Sequence, residues 1–191
     1  MNHVRSYFDE VMQIAIAINA DEIERLACEL DALRSRNGRL FCLGLGGSAA
    51  NASHAASDFR KLCRIAAWCP SDNVAELTAR ANDEGFGTVF AEYLANCDVD
   101  ERDGIFVFSV GGGTPTISYA ISRAVQLAKE HGMSIYGIVG RDGGMTKRNG
   151  NCVIVVPEIK ERVTPHTEAF QMVVLHCLVS HPILQLNATK W

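Results

Sequence analysis

The chain has no block of basic residues. Its 18 Lys and Arg are scattered and outnumbered by 22 Asp and Glu, which leaves a formal net charge of −4. Nucleic acid is thereby excluded as the main partner, because binding to a phosphate backbone relies on clustered cations. One anionic group is not excluded, since a few backbone N–H groups can hold a single phosphate. No apolar run reaches membrane-spanning length, and the N-terminus lacks the charged-then-apolar pattern of a secretory signal. A cytoplasmic protein with no membrane partner is expected. CxxC is also absent, and the 7 cysteines are odd in number and irregular in spacing, several lying within apolar runs as Cys42 does. Buried, reduced thiols are expected in place of a disulfide framework. No internal repeat, low-complexity tract or linker interrupts the 191 residues, so the expectation is one domain over 1–191.

What is present is an ordinary globular balance, 48% apolar and 21% charged. From Val4 to Leu33 apolar residues recur at helical steps, and Asn19-Ala20-Asp21 breaks the run into two helices, with Asp21 as the expected N-cap. Whether this apolar stripe packs on its own sheet or on another subunit stays open. Strands are predicted over Arg39–Gly44, Ile65–Trp68, Gly104–Val110, Ser134–Val139 and Cys152–Val156. Helices are predicted over Ala49–Leu62, Asn73–Arg80 capped by Asp72, Phe86–Asn96, Thr116–Glu130 and Thr167–Val179. Strands alternating with helices predict right-handed crossovers and a parallel sheet covered on both faces.

In such a sheet ligands bind outside the carboxyl ends of the strands. Three Gly-rich turns fall there: Gly44–Ser48, Gly111–Gly113 and Gly140–Gly144. Glycine lets backbone approach a ligand, and the following helix offers unpaired N–H groups, an anion seat to which Ser48 and Ser118 add hydroxyls. Any one loop reads first as a tight turn; two with nearby serines favour a phosphate site. Gly44-x-Gly46-x-x-Ala49 also fits the dinucleotide fingerprint, but the acidic residue required at the end of the second strand is missing. His54 and Asp58 are four apart on one helix face, and Glu168 and His176 are eight apart on another. These four form a possible metal set or a possible acid/base set. His166, beside Pro165, is a further polar candidate.

The segment Gly44-Leu45-Gly46-Gly47-Ser48-Ala49-Ala50-Asn51-Ala52-Ser53-His54 resembles the first loop and helix of sugar isomerase (SIS) domains, with phosphoheptose isomerases the nearest in pattern. Asn82-Asp83-Glu84-Gly85-Phe86, Ser109 with its glycines, and Gly140-Arg141-Asp142-Gly143-Gly144 match further family segments, so the likeness covers nearly the whole chain. It implies a three-layer αβα sandwich with a five-stranded parallel sheet, flavodoxin-like, at 37–191, preceded by N-terminal helices at 1–36. It implies sugar-phosphate contacts at Gly46, Gly47, Ser48, Asn51, Asp83, Ser109, Gly111, Gly112 and Ser118. A divalent metal, in the first instance zinc, is implied at His54, Asp58, Glu168 and His176. Catalytic roles fall to Asp58, Glu168 and His176.

The implied reaction is aldose–ketose isomerisation through an enediol(ate), with sedoheptulose 7-phosphate as the first substrate to consider. The implied assembly is a homotetramer with active sites at subunit contacts. Four departures are visible: Leu45 stands in place of Asn, Asp58 in place of Glu, Glu168 in place of Gln, and the second loop is Gly-rich and several residues longer than the usual Ser/Thr-rich one. The alternative is a non-enzymatic SIS module that binds a phosphosugar or a protein partner of the replication-initiator type.

Overall fold

The structure is a computed structural model and describes residues 2–189. It opens with α1 (His3–Ala17) and α2 (Ala20–Ser35). The helix break lies where expected, but Asn19 and not Asp21 is the cap: its side chain accepts from the Glu22 N–H at 3.0 Å. Asp21 sits in the first turn, where a carboxylate meets the positive end of the helix dipole.

There follow β1 (Arg39–Gly44), α3 (Gly47–Cys63), β2 (Ala66–Trp68), α4 (Val74–Asp83), α5 (Val89–Ala95) and β3 (Gly104–Ser109). The chain continues through α6 (Tyr119–Glu130), β4 (Ser134–Val139), α7 (Gly144–Asn149), β5 (Cys152–Val155) and α8 (Val163–Val179). The 5 strands are all parallel in the order β2-β1-β3-β4-β5. This is the doubly wound, flavodoxin-like order, and its switch point lies between β1 and β3.

Period-two alternation in the strands divides the core between the two faces. Leu40, Cys42, Phe106, Phe108, Tyr136 and Ile138 face α2, α3 and α8, where they meet Leu30, Phe59 and Leu175. Phe41, Leu43, Ile105, Val107 and Ile135 face α5 and α6. Burial of each such Leu, Ile or Phe side chain stabilises the fold by roughly 1.5–3 kcal/mol. The two N-terminal helices split the alternative left open by the sequence. On α2, Leu26, Leu30 and Leu33 are buried within the molecule. On α1, Val4, Phe8, Met12 and Ile16, each one turn from the next, are 60%, 61%, 57% and 87% exposed.

Several boundaries move for local reasons. Asn73, not Asp72, caps α4, accepting from the Glu76 N–H at 3.2 Å. The predicted start of α6 at Thr116 gives way to a turn in which the Thr114 hydroxyl oxygen accepts from the N–H groups of Thr116 and Ile117. The last helix begins at Val163, because Pro165 lies in its first turn, where its missing N–H has no helical partner to lose. The short α7 carries no periodic signal in the sequence. Edge strand β2 is shielded by Arg60, which donates to the Ala67 carbonyl. Burial raises the thiols of Cys63 to about 12 and Cys152 to about 11, as expected of buried reduced cysteines. Cys28 and Cys177 are exposed exceptions. Among the described residues no helix is long and apolar enough to cross a membrane.

Candidate active site

The carboxyl ends of β1 and β3 open into a cavity of about 230 Å³ whose wall includes Ser48, Ser109, Gly111, Ser118, Arg141 and Glu168. Leu45, Ile117 and Thr164 complete much of the remaining wall. The first loop turns sharply enough that a side chain at Gly44 would place its Cβ 2.2 Å from the Ser48 carbonyl. Gly46 then adopts φ +61°, ψ −130°, a conformation open essentially to glycine, and α3 begins at the next residue. Gly47 leaves room for the Glu168 carboxylate, which would lie 2.4 Å from a Cβ there.

The Ser48 hydroxyl donates to Glu168 Oε1 at 3.2 Å. Gln171, fully buried on α8, donates from Nε2 to Ser48 Oγ at 3.2 Å and to the Ile138 carbonyl at 3.4 Å. Asn51 donates from Nδ2 to Gln171 Oε1 at 2.7 Å and to the Glu168 carbonyl at 3.0 Å. Asn51 thus acts within the α3–α8 interface, behind the cavity wall.

On the second loop Ser109 Oγ accepts from the Gly112 N–H at 3.0 Å. Gly112 itself is built into the contact with the Gly140–Gly144 loop. Its φ is +66°, a Cβ would lie 1.9 Å from the Gly143 carbonyl, and its own carbonyl accepts from Thr146 N and Oγ1 at 3.0 and 2.8 Å. Gly111 stays on the cavity wall. Ser118 and Arg141 are non-glycine residues at φ +55° and +51°. Both line the cavity, and Ser118 makes no capping bond with its hydroxyl at the start of α6. Backbone strain of this kind gathers at ligand sites. Asp83 is exposed at the end of α4, bonded to the Asn82 amide at 2.8 Å, and stands off the wall.

Two turns further along α3 a second group forms. His54 Nε2 and Asp58 Oδ2 are 3.0 Å apart, and the rings of His54 and His176 lie 5.3 Å apart at 60°. One ligand atom from each of His54, Asp58 and His176 falls within 4.8 Å of the others. Two imidazoles and a carboxylate at such spacing suit Zn²⁺ or a similar ion with one position open. The donor set therefore fits a divalent cation. Glu168 is outside this group. Eight residues of helix separate it from His176, about 12 Å along the axis, and its carboxylate is turned to Ser48. The four-residue set expected from sequence is, within one chain, a three-residue cluster plus a separate cavity carboxylate. A cavity of about 290 Å³ adjoins Asp58 and His176 through Leu62 and Val179.

His166 serves as a strut. It is buried, stacks on Tyr7 at 4.5 Å, and shares Glu10 of α1 with Arg162. The hydrogen bonds from Arg162 and His166 hold the Glu10 carboxyl down from the ordinary 4.5 to about 2. Sequence reasoning missed Gln171, whose signal was a polar residue inside the buried stripe of α8 between Phe170 and Val174. It also missed Thr164 and the cavity cation Arg141.

Comparison with known proteins places the fold in a family. The SIS domain family model matches residues 6–140. The chain is 34% identical over 154 residues to the lincomycin biosynthesis protein LmbN of Streptomyces lincolnensis, covering 75% of this chain but only 56% of that longer protein. It is 32% identical over 156 residues to the phosphoheptose isomerase of a Nitratiruptor species, covering 79% of each. A solved phosphoheptose isomerase from Francisella tularensis superposes with TM-score 0.81 at 23% identity, over 96% of this chain and 97% of that one, which establishes the common fold. The chain belongs to the SIS-domain family and is related over most of its length to phosphoheptose isomerases.

Proposed function

We propose that this protein interconverts an aldose phosphate and a ketose phosphate, with sedoheptulose 7-phosphate and the corresponding heptose 7-phosphate as the first pair to test. The observation that carries the reading is the pairing of a hydroxyl- and glycine-lined cavity, walled in part by α3 and α8, with a His54–Asp58–His176 cluster on those two helices. Relatives named phosphoheptose isomerase support the choice of reaction and sugar. We place the chain in the cytoplasm.

The phosphate is assigned to the Ser109–Ser118 end of the cavity. There the start of α6 offers free N–H groups, and Arg141 supplies a positive charge. A dianion avoids the other end, where Glu168 already faces the start of α3.

For the chemistry, Asp58 takes the proton from C1 of the ketose. The C1–H electron pair forms the C1–C2 double bond, and the C2 oxygen gains a proton. Return of a proton to C2 and loss of one from the C1 oxygen give the aldose. His176 carries protons between the two oxygens. His54 orients Asp58 through the 3.0 Å contact. A divalent ion, zinc in the first instance, would be held by His54, His176 and one Asp58 oxygen, which leaves the other Asp58 oxygen to take the proton. Bound there, it supplies Lewis-acid polarisation of the carbonyl and its neighbouring hydroxyl.

His54 and His176 are exposed, and α1 presents an unpaired apolar row. Both features favour a homotetramer in which a neighbouring protomer completes the site. The test is conversion of C5 to C7 ketose phosphates by metal-loaded protein. Turnover supports the reading. Binding without turnover on any of them leaves the phosphosugar-binding module in its place.

A further inference from the structure

The hydrogen bonds behind the cavity have a forced direction. The Ile138 carbonyl can only accept, so the Gln171 group 3.4 Å from it is the amide NH₂. The Gln171 oxygen therefore faces Asn51, whose NH₂ donates to it at 2.7 Å and to the Glu168 carbonyl at 3.0 Å. The remaining Gln171 hydrogen goes to Ser48 Oγ at 3.2 Å. Ser48 has one hydrogen, and the remaining close partner is Glu168 Oε1 at 3.2 Å. The series runs in one direction, from Asn51 through Gln171 and Ser48 to Glu168. Gln171 is wholly buried and Ser48 is 2% exposed, so water does not compete for these bonds.

A serine hydroxyl facing a ligand could either donate or accept. Here its hydrogen is assigned before any ligand arrives. The carboxylate beyond it offers the cavity acceptors only, and an acceptor repels phosphate but takes a hydroxyl hydrogen.

We propose that Gln171 is a positioning residue which, through Ser48, fixes the Glu168 carboxylate as the acceptor for a hydroxyl group of the bound sugar phosphate. This rests on the proposed function and adds the polarity of one end of the site: a polyol chain at α3, its phosphate at α6. Gln171 touches no substrate and acts only through Ser48.

The test is a double-mutant cycle with Gln171→Met and Ser48→Ala. It reads the KM and kcat of metal-loaded protein for the sugar phosphate, and the inhibition constant of inorganic phosphate. Gln171→Met is expected to raise KM about tenfold, the scale of one lost hydrogen bond, with kcat within about threefold. The inhibition constant of phosphate stays within about twofold, because phosphate binds at the other end of the cavity. In the double variant KM is no higher than in Ser48→Ala alone, because the second change acts through the first. A purely structural role predicts additive effects and an equal loss of phosphate binding, and either result overturns the proposal. If Gln171→Met does not fold, Asn51→Ala replaces it one step upstream with the same expected pattern. Where the unaltered protein converts sugar phosphates but the cycle is additive, the positioning role alone fails. Where it neither binds nor converts any sugar phosphate, both readings fail.

Discussion

His54 Nε2 stands 3.0 Å from Asp58 Oδ2, one helical turn further along α3, and the ring of His176 approaches the same point from α8. The shared location makes His176 separable from the fold: it is exposed, and its loss leaves no buried cavity. His176→Ala should lower kcat/KM by roughly 10²–10⁴-fold, the usual contribution of one acid–base group, with the melting temperature of the metal-free protein unchanged. Steady-state kinetics beside a thermal melt check this. Full activity in the variant removes His176 from the mechanism.

Metal content follows from the same cluster. Purified protein should carry about one divalent ion per chain, measured by elemental analysis. Zinc added back to chelator-stripped protein should raise its melting temperature, since a ligand that binds only the folded state stabilises it. His54→Ala should lose both the ion and the shift. A full complement of metal in that variant would contradict the three-residue site.

The Glu10 strut predicts an acid dependence of stability. The Glu10 carboxyl lies at about 2 in the folded chain against an ordinary 4.5, because Arg162 and His166 favour its charged form. A depressed carboxyl stabilises the fold above its unfolded value, and that contribution disappears as pH falls through the folded one. The difference in melting temperature between the unaltered protein and Glu10→Gln should therefore be full above about pH 4.5 and shrink toward pH 2. A difference that is constant with pH would show that the pair contributes through packing alone.

Two adjacent glycines should behave in opposite ways. Gly112→Ala forces a Cβ to 1.9 Å from the Gly143 carbonyl at φ +66°, whereas Gly111 has nothing within 4 Å of a built Cβ. Chemical denaturation should show Gly112→Ala destabilised by about 2–4 kcal/mol, combining strain and overpacking. Gly111→Ala should change stability by less than about 1 kcal/mol. Equal effects would mean that the close contact of the two loops is not what requires glycine.

Much of the architecture was legible because strands such as Gly104–Ser109 are continuous apolar runs, which only a sheet covered on both faces can bury. Start positions were less legible, because Asn19 and Asn73 compete for capping with acidic neighbours that differ from them by one functional group. At the site, i,i+4 spacing brought His54 to Asp58 as expected, since that contact is local. The fate of Glu168 was not readable. Helical periodicity puts it on the same face as His176, but only the packing of α8 on α3 brings its carboxylate to Gly47 and Ser48. Gln171 was missed for the same reason: its three partners, Asn51, Ser48 and Ile138, come from distant parts of the chain.

The central claim is proton transfer next to a carbonyl, and isotope exchange tests it most directly. Metal-loaded protein is incubated with sedoheptulose 7-phosphate in D₂O and followed by NMR. The account predicts an aldose phosphate carrying solvent deuterium at C2, abolished by Asp58→Asn and His176→Ala. Isomerisation without solvent deuterium in product or recovered substrate, or no conversion of any C5 to C7 sugar phosphate, would contradict it.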